Sequence, residues 1–211
     1  MIKLQEACHS GGVPGSARQP IASGTISLMR AKTRPFGFSG WRWDLLGHAA
    51  GRTLEIGCGF GANFVHYPKT ANVTAFDVDP LRVREAARAA ADRTVRLTAA
   101  DAQRLAFPDG AFDTVAGTLV FCSIPDPALA LGEIRRVLKP GGRLLLVVHV
   151  RSHHHWLGAA QDALAPVWLA ITSGCNLNRD TEATVRHAGF EIEQLKTSWG
   201  GLLKLMVARQ L

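Results

Sequence analysis

Residues 53–63 read Thr-Leu-Glu-Ile-Gly-Cys-Gly-Phe-Gly-Ala-Asn and form the most informative chemical pattern of this 211-residue chain. A short apolar run with one acidic residue, Glu55, leads into three glycines at alternate positions: Gly57, Gly59 and Gly61. Glycine tolerates positive φ and has no Cβ, so such a backbone lets a ligand approach closely. The following helix would direct its free N–H groups at that ligand. The pattern therefore predicts a buried strand that turns sharply beneath a nucleotide-like ligand.

The kind of nucleotide depends on the acidic residues around this turn. The run Gly57–Ala62 also satisfies the dinucleotide fingerprint G-x-G-x-x-G/A, which leaves a dinucleotide site open. Glu55 argues against it, because a carboxylate suits a cationic amino group and repels a pyrophosphate. Asp77 ends the next strand-like run, where it can accept hydrogen bonds from ribose hydroxyls. Asp101 follows a third run and can accept from an adenine amino group.

Four motifs in register resemble those of the class I S-adenosylmethionine-dependent methyltransferases over about residues 45–150. They are Glu55–Gly61, Asp77, Asp101-Ala102 with Phe107–Asp113, and Leu138–Leu144. The resemblance implies methyl transfer, with S-adenosylmethionine as cofactor and S-adenosylhomocysteine as product. It further implies that the cofactor is bound by Glu55, Gly57, Cys58, Gly59, Gly61, Asn63, Asp77, Val78, Asp101, Ala102 and Thr118.

A closer resemblance covers about residues 50–198 and concerns the methyl acceptor. The runs that look like the alkyl-thiol S-methyltransferases are Gly61–Pro68, Thr118–Ser123, His149-Val150 and Gly174–Asp180. This similarity implies a small apolar nucleophile as acceptor, with a thiol favoured. The chain departs from that group at Val148, where the group has glutamate, and in its basic N-terminus. Phosphatidylethanolamine N-methyltransferases and quinone C-methyltransferases of the UbiE-like kind share the cofactor motifs, so a lipid acceptor at a membrane surface is the alternative.

His149 is the candidate catalytic residue, at the carboxyl end of the predicted fifth strand. A neutral imidazole can take a proton from a thiol or orient the acceptor. The alternative is a structural histidine that bonds a neighbouring loop. The run His153–His155 does not predict a metal site, since adjacent side chains point in different directions. We expect no metal and free thiols in a reducing cytoplasm, because the cysteines show no regular framework: Cys8, Cys58, Cys122 and Cys175.

Alternating strand-like and helix-like segments position these residues. The strand-like segments are Thr53–Ile56, Val73–Phe76, Val95–Thr98, Thr114–Leu119, Arg143–Val150, Phe190–Leu195 and Leu202–Ala208. Helices are predicted at Leu81–Asp92, from Asp126-Pro127 to Pro140-Gly-Gly, and at Asp180–Ala188. This order predicts an α/β protein with a doubly wound, seven-stranded, mostly parallel sheet, the Rossmann-like methyltransferase fold. Its ligands are expected at the carboxyl ends of the strands.

The predicted domain organisation has an arm and one catalytic domain. Residues 1–40 form a basic N-terminal arm, partly disordered or acting as a lid, and residues 41–211 form the methyltransferase domain. Within it, residues 151–178 break the strand–helix rhythm and are interpreted as an acceptor-side insertion that Pro166 interrupts. Aromatic residues at 36, 38, 41 and 43 either close over the site or pack on the sheet.

The charge of the chain bears on its partners. Residues 1–50 hold six basic and two acidic side chains, which is +4 of the net +7. Such an arm suits an anionic membrane surface or nucleic acid, and a solvated tail is the alternative. Nucleic acid is disfavoured, since residues 1–35 do not interleave basic and aromatic residues and no Asn/Asp-Pro-Pro-Tyr motif follows the fourth strand. We expect a cytoplasmic enzyme acting on a small molecule or lipid, with peripheral membrane contact through the arm as the alternative.

Overall fold

A computed structural model describes residues 38–90, 94–172 and 174–211, and the predictions for residues 1–37 lie outside this range. The described residues cluster as one compact unit. The helices are α1 (Phe38–Leu46), α2 (Pro80–Ala89), α3 (Pro127–Val137), α4 (His155–Ile171) and α5 (Thr181–His187). The strands are β1 (Arg52–Ile56), β2 (Asn72–Asp77), β3 (Val95–Ala99), β4 (Phe112–Thr118), β5 (Leu138–His149), β6 (Phe190–Ser198) and β7 (Leu203–Gln210).

The strands form one seven-stranded sheet in the order β3-β2-β1-β4-β5-β7-β6. The first five strands along the chain, β1 to β5, are parallel to one another. β7 runs antiparallel to both β5 and β6. The register aligns Ile56 with Phe76 on one side and with Gly117 on the other. The carboxyl ends of the central strands therefore meet at one edge of the sheet. The predicted mostly parallel sheet of seven strands is confirmed.

Helices cover both faces of this sheet. Alternate residues of β1 point to opposite sides, as a strand requires. Leu54 and Ile56 join a core with apolar residues of α3 and α5, and Ala75 of β2 joins a second core with residues of α1 and α2. Two buried layers on one sheet are what a doubly wound fold contains.

The cap of α3 follows the sequence prediction, and α2 has the same kind of cap, which was not predicted. Asp79 caps α2 by accepting from the Leu81 N–H, and Asp126 caps α3 by accepting from the Leu129 N–H. A proline occupies the first turn of each helix, where its missing N–H costs nothing. The predicted start of α3 is confirmed. It could be predicted because the capping aspartate and the proline are adjacent in the sequence.

Three predictions about elements are wrong. The helix expected to follow the glycine turn is only a three-residue 3-10 helix, Phe64–His66. The segment 138–142 was expected to end α3, but Leu138 already has extended backbone angles (φ −74°, ψ 144°) and begins β5. Pro166 was expected to interrupt the insertion, yet α4 continues through it as one helix of 17 residues. Proline removes the bond to the carbonyl four residues earlier, at Asp162. Asp162 is exposed, so water can satisfy that carbonyl.

Candidate active site

The carboxyl ends of β1 to β5 surround a cavity of about 790 Å³. Most of the residues predicted from the sequence line it together, although they come from five strands. They are Gly57, Cys58, Gly59, Asn63, Asp77, Val78, Asp101, Ala102, Thr118 and His149. Two predicted residues, Glu55 and Gly61, lie outside its lining. Tertiary packing thus brings most of the predicted residues to one cavity, whereas Glu55 and Gly61 do not line it.

The three glycines of the β1 turn have different roles, although all have positive φ. A Cβ at Gly57 would overlap a methyl group of Val120, whereas a Cβ at Gly59 would meet no atom within 4 Å. A Cβ at Gly61 would lie 2.7 Å from the ring of Phe64 and 2.9 Å from Ala89. Gly57 therefore allows close packing, Gly59 leaves open space, and Gly61 is packed away from the cavity.

Asp77 ends β2 and holds the glycine turn in place. Its carboxylate accepts hydrogen bonds from the Gly59 N–H at 2.9 Å and from the Asp79 N–H at 3.1 Å. An ionised carboxylate has about four acceptor positions, so these bonds leave capacity for a ligand hydroxyl. The structure thus gives Asp77 a second role, in ordering the turn, that its spacing did not indicate.

Asp101 lies after β3 at the rim of the cavity and is exposed. Its carboxylate accepts from the Gln103 N–H at 2.9 Å and from the Gln103 side-chain amide at 3.1 Å. Gln103 also lines the cavity, and its side-chain oxygen accepts from the Asp126 N–H at 3.0 Å. Nothing in the sequence singled out Gln103, because its contribution depends on the neighbouring α3 cap.

Glu55 is fully buried behind the cavity wall, with Asn63 in front of it. The Asn63 amide donates to Glu55 Oε1 at 2.8 Å and to the hydroxyl of Thr118 at 2.8 Å. Burial raises the pKa of Glu55 to about 7, against the opposing effects of Asn63, Tyr67 and Arg42. Asn63 thus lies between Glu55 and the cavity, where a ligand amino group was predicted to meet Glu55 directly or through water. The acid sits one side chain deeper than its spacing suggested.

The helix α1 adds a cation to the cavity lining. Arg42 reaches the cavity, and its charge acts on Glu55. Burial lowers the pKa of Arg42, and Glu55 opposes that change. From the sequence, Arg42 was counted only as part of a basic N-terminal region. Its position in the site follows from how α1 packs on the sheet.

The aromatic residues near α1 divide between the two interpretations. Trp41 packs against the core on the α1 side, and the ring of Trp43 meets His66 edge to face, 6.3 Å between centroids. Neither Trp41 nor Trp43 lines the cavity. Trp41 therefore fits the packing interpretation, and Trp43 packs against His66 outside the cavity. The lid prediction for Phe36 and for the Phe38 side chain lies outside the described residues.

The far end of the cavity holds a cluster of Cys122, His149 and Cys175. The Cys175 sulfur lies 4.0 Å from His149 Nδ1, and the side-chain sulfur and nitrogen atoms of the three residues lie within 4.8 Å of one another. Burial lowers the pKa of His149. Burial is the main effect that raises the pKa of Cys122 to about 12, and contact with Cys175 is the second. The sequence had led us to expect no metal site, since these residues are far apart along the chain.

Comparison with known proteins places this geometry in context. A profile described as a methyltransferase domain matches residues 54–146. The thiol S-methyltransferase TMT1B of Homo sapiens is 37% identical over 151 residues, which cover 68% of this chain and 61% of that protein. The chain therefore spans about three fifths of the length of that relative.

Two further proteins are similar over more of their own length. A phosphatidylethanolamine N-methyltransferase of Cereibacter sphaeroides is 31% identical over 161 residues, covering 74% of this chain and 78% of that protein. The crystal structure of an S-adenosylmethionine-dependent methyltransferase from Mesorhizobium loti superposes with a TM-score of 0.63 at 17% identity, covering 80% of this chain and 95% of that one. The structural likeness concerns the fold.

Proposed function

Since the chain belongs to the S-adenosylmethionine-dependent methyltransferase family, we propose that it methylates the sulfur of a small apolar thiol. S-Adenosylmethionine supplies a methyl group that its sulfonium charge makes electrophilic. The protein then has to bind, orient and desolvate the two reactants, and orientation can contribute about 7–11 kcal/mol to the rate. The observation that carries the proposal is one cavity with carboxylates at one end and a histidine among apolar residues at the other.

The carboxylate end of the cavity fits the nucleoside of the cofactor. Asp77 and Asp101 line it from the ends of β2 and β3, and both keep acceptor capacity beyond their protein hydrogen bonds. The space around Gly59, where a Cβ would meet nothing within 4 Å, allows close approach of a ligand to the backbone. We assign the ribose to Asp77 and the adenine amino group to Asp101.

The amino-acid end of the cofactor fits between Arg42 and the pair of Asn63 and Glu55. A carboxylate there would be attracted by the Arg42 guanidinium, which lines the cavity. An ammonium group would favour the ionised form of Glu55, either through water or through the carbonyl oxygen of Asn63. A cationic ligand would thus relieve the cost of burying that carboxylate.

The other end of the cavity suits an apolar acceptor. It is lined by residues of the segments that follow β4 and α4 and by the last residue of β5: Leu119, Val120, Cys122, Ile124, Pro125, His149, Thr172 and Cys175. The carboxylates on β2 and β3 are separated from this end by β1 in the strand order. The thiol S-methyltransferase TMT1B supports a thiol as the acceptor class. His149 is the residue that we assign to orient the thiol or to take its proton.

A donor-consumption assay tests the proposal. The purified chain is given S-adenosylmethionine with a panel of alkyl thiols, phosphatidylethanolamine and demethylated quinones, and the products are identified by mass spectrometry. We expect methyl thioethers from apolar thiols. His149→Ala should lower the rate by about 10²- to 10⁴-fold, the usual worth of a positioned acid–base group, whereas the exposed His155→Ala should not change it. Methylation of lipids alone, or donor binding without turnover, would refute a thiol acceptor.

Lipid methylation is the second candidate, and the exposed apolar surface of α4 favours it. Trp156, Val167 and Ile171 of this helix are 72%, 62% and 71% exposed. The helix ends beside Thr172, which lines the cavity. Large apolar side chains that face solvent are suited to the interfacial region of a membrane. Within the described residues, none of the helices has the length and apolarity needed to cross a bilayer.

Vesicle binding separates the two candidates. If the acceptor is a lipid, the chain should co-sediment with anionic vesicles, and the double variant Trp156→Ser/Ile171→Ser should lose binding and lipid methylation together. Leu129→Ser, which changes an exposed residue on α3, serves as the matched control. Unchanged thiol turnover in the double variant, without vesicle binding by the wild type, would reject the lipid candidate.

A further inference from the structure

Three residues that bind soft metal ions meet at the acceptor end of the cavity. Cys122 lies in the turn after β4, His149 ends β5, and Cys175 follows α4. Their sulfur and nitrogen atoms are all within 4.8 Å of one another, and all three residues line the cavity. Within the part of the chain that the structure describes, these three side chains are close enough to bind one metal ion together.

The two cysteine segments are held together by hydrogen bonds that do not involve the thiols. The backbone N–H and the side-chain amide of Asn176 donate to the carbonyl of Cys122 at 2.8 and 3.1 Å. The guanidinium of Arg179 donates to the carbonyl of Phe121 at 3.0 Å. Two residues that follow Cys175 thus bind the backbone carbonyls of Cys122 and of the residue before it. This arrangement holds the two backbone segments that carry Cys122 and Cys175 next to each other independently of any ion.

We propose that Cys122, His149 and Cys175 bind one sulfur-preferring divalent cation of the Zn²⁺ type, with its fourth coordination position facing the cavity. Zinc binds thiolates at about 2.3 Å and imidazole at about 2.0–2.1 Å, which puts tetrahedral ligand atoms about 3.5–3.8 Å apart. The Cys175 sulfur and His149 Nδ1 are 4.0 Å apart, so a small inward movement completes the geometry. Three protein ligands with an open fourth position are typical of catalytic zinc sites.

The fourth position is suited to the acceptor thiol, and this part of the inference rests on the proposed function. When a thiol coordinates the ion, a metal–sulfur bond forms, the S–H bond breaks, and the proton passes to solvent. A coordinating thiol is deprotonated outright by such an ion. The acceptor is then held as a thiolate, the nucleophilic form of sulfur. His149 acts on the acceptor as a ligand of the ion in this arrangement, and no separate base is needed.

Cobalt binding to the full chain tests the site without any reliance on activity. Metal-free, reduced protein is titrated with Co²⁺, which reports tetrahedral coordination by its d–d absorption and thiolate ligation by a sulfur-to-cobalt charge-transfer band. We expect one equivalent of Co²⁺ with both signals, displaced by Zn²⁺. Absence of cobalt binding, or octahedral cobalt without the sulfur band, would overturn the site. A Cys122–Cys175 disulfide in place of metal binding would identify a redox pair and would also overturn it.

Single substitutions assign the ligands. Cys122→Ser, Cys175→Ser and His149→Gln should each weaken Co²⁺ binding by more than about 100-fold, since even outer-sphere changes cost about 10- to 100-fold. His155→Gln is the matched control, because His155 is an exposed histidine that lies outside both the cavity and the cluster. Binding of S-adenosylhomocysteine and the thermal transition verify that each variant is folded. Wild-type cobalt affinity in the three ligand variants would refute the assignment.

A final measurement separates this inference from the proposed function. Adding an alkyl thiol to the cobalt-loaded chain should strengthen the charge-transfer band, because a third sulfur enters the coordination sphere. An unchanged spectrum would refute the thiol at the fourth position. Thiol methylation that persists after complete metal removal would keep the proposed function and refute the metal site. If the cobalt-loaded chain binds thiols but never forms thioethers, the metal site is kept and the proposed function is refuted.

Discussion

The side-chain amide of Asn63 lies 2.8 Å from the carboxylate of Glu55, so that a fully buried acid is linked to the cavity by a single side chain. The same amide nitrogen donates to Thr118 at the end of β4. One residue thereby joins β1, the glycine turn and β4. This link explains how a carboxylate that does not line the cavity can still respond to a ligand within it.

Removing the link should destabilise the fold. In Asn63→Ala, Glu55 and Thr118 lose a shared donor in a buried setting, so the free energy of unfolding should fall by about 1–3 kcal/mol. The control is Asn72→Ala, an exposed asparagine at the start of β2, which should change stability by less than about 0.5 kcal/mol. Urea denaturation of both variants measures the difference. Equal stabilities would show that the Asn63 bonds contribute nothing net.

The raised pKa of Glu55 should make stability depend on pH. Burial raises this pKa from 4.5 to about 7, so the folded chain retains a proton that the unfolded chain has already lost. The resulting stabilisation is complete below pH 4.5 and disappears as the pH rises through about 7, a change of about 3 kcal/mol.

The variant Glu55→Gln removes this titration and leaves the other groups in place. Its stability relative to the wild type should rise from about pH 5 to about pH 8, as the wild type alone loses the proton-linked contribution. Urea denaturation of both proteins across this range gives the difference directly. Parallel curves for the two proteins would mean that Glu55 titrates normally in the folded chain.

Loss of the Asp77 charge should weaken cofactor binding, and it also removes one of the two acceptor oxygens that order the glycine turn. Hydrogen bonds that involve a charged group are worth about 1.5–3 kcal/mol each, so Asp77→Asn should raise the Kd of S-adenosylhomocysteine by about 10- to 150-fold. Asp109→Asn, at a carboxylate outside this cavity, is the control. Calorimetry measures both constants. Wild-type affinity in Asp77→Asn would contradict the ribose assignment.

Two neighbouring glycines should differ in their tolerance of alanine. Gly59→Ala should destabilise the fold by about 1–2 kcal/mol, the cost of a left-handed backbone conformation for alanine. No steric cost is added, because the new Cβ would enter open space. Gly57→Ala carries that cost and also an overlap with Val120, which adds about 1–3 kcal/mol. Thermal and urea unfolding compare the two.

A second substitution checks the cause of that difference. Val120→Ala in the Gly57→Ala background should recover part of the lost stability, since it removes the overlapping methyl groups. The same change in the Gly59→Ala background should give no such recovery. Equal effects in the two backgrounds would mean that the difference between the glycines has another origin.

The sequence by itself determined the seven strands, three of the helices and the order in which they occur. Glycines in the β1 turn, the Asp-Pro start of α3, and short apolar runs are local signals, and they predicted the strands and the edge of the sheet at which Asp77 and Asp101 lie. Strand ends and helix caps can be predicted in this way because the residues that specify them are a few positions apart.

Tertiary structure alone decided what lies beside each functional side chain. It put Glu55 behind Asn63, packed Gly61 against Phe64, and brought Arg42 to the cavity. It also assembled the cluster of Cys122, His149 and Cys175 from three separate elements. Burial, pKa and metal-ligand spacing depend on the packing of residues distant along the chain, and no local periodicity or turn signal records that packing.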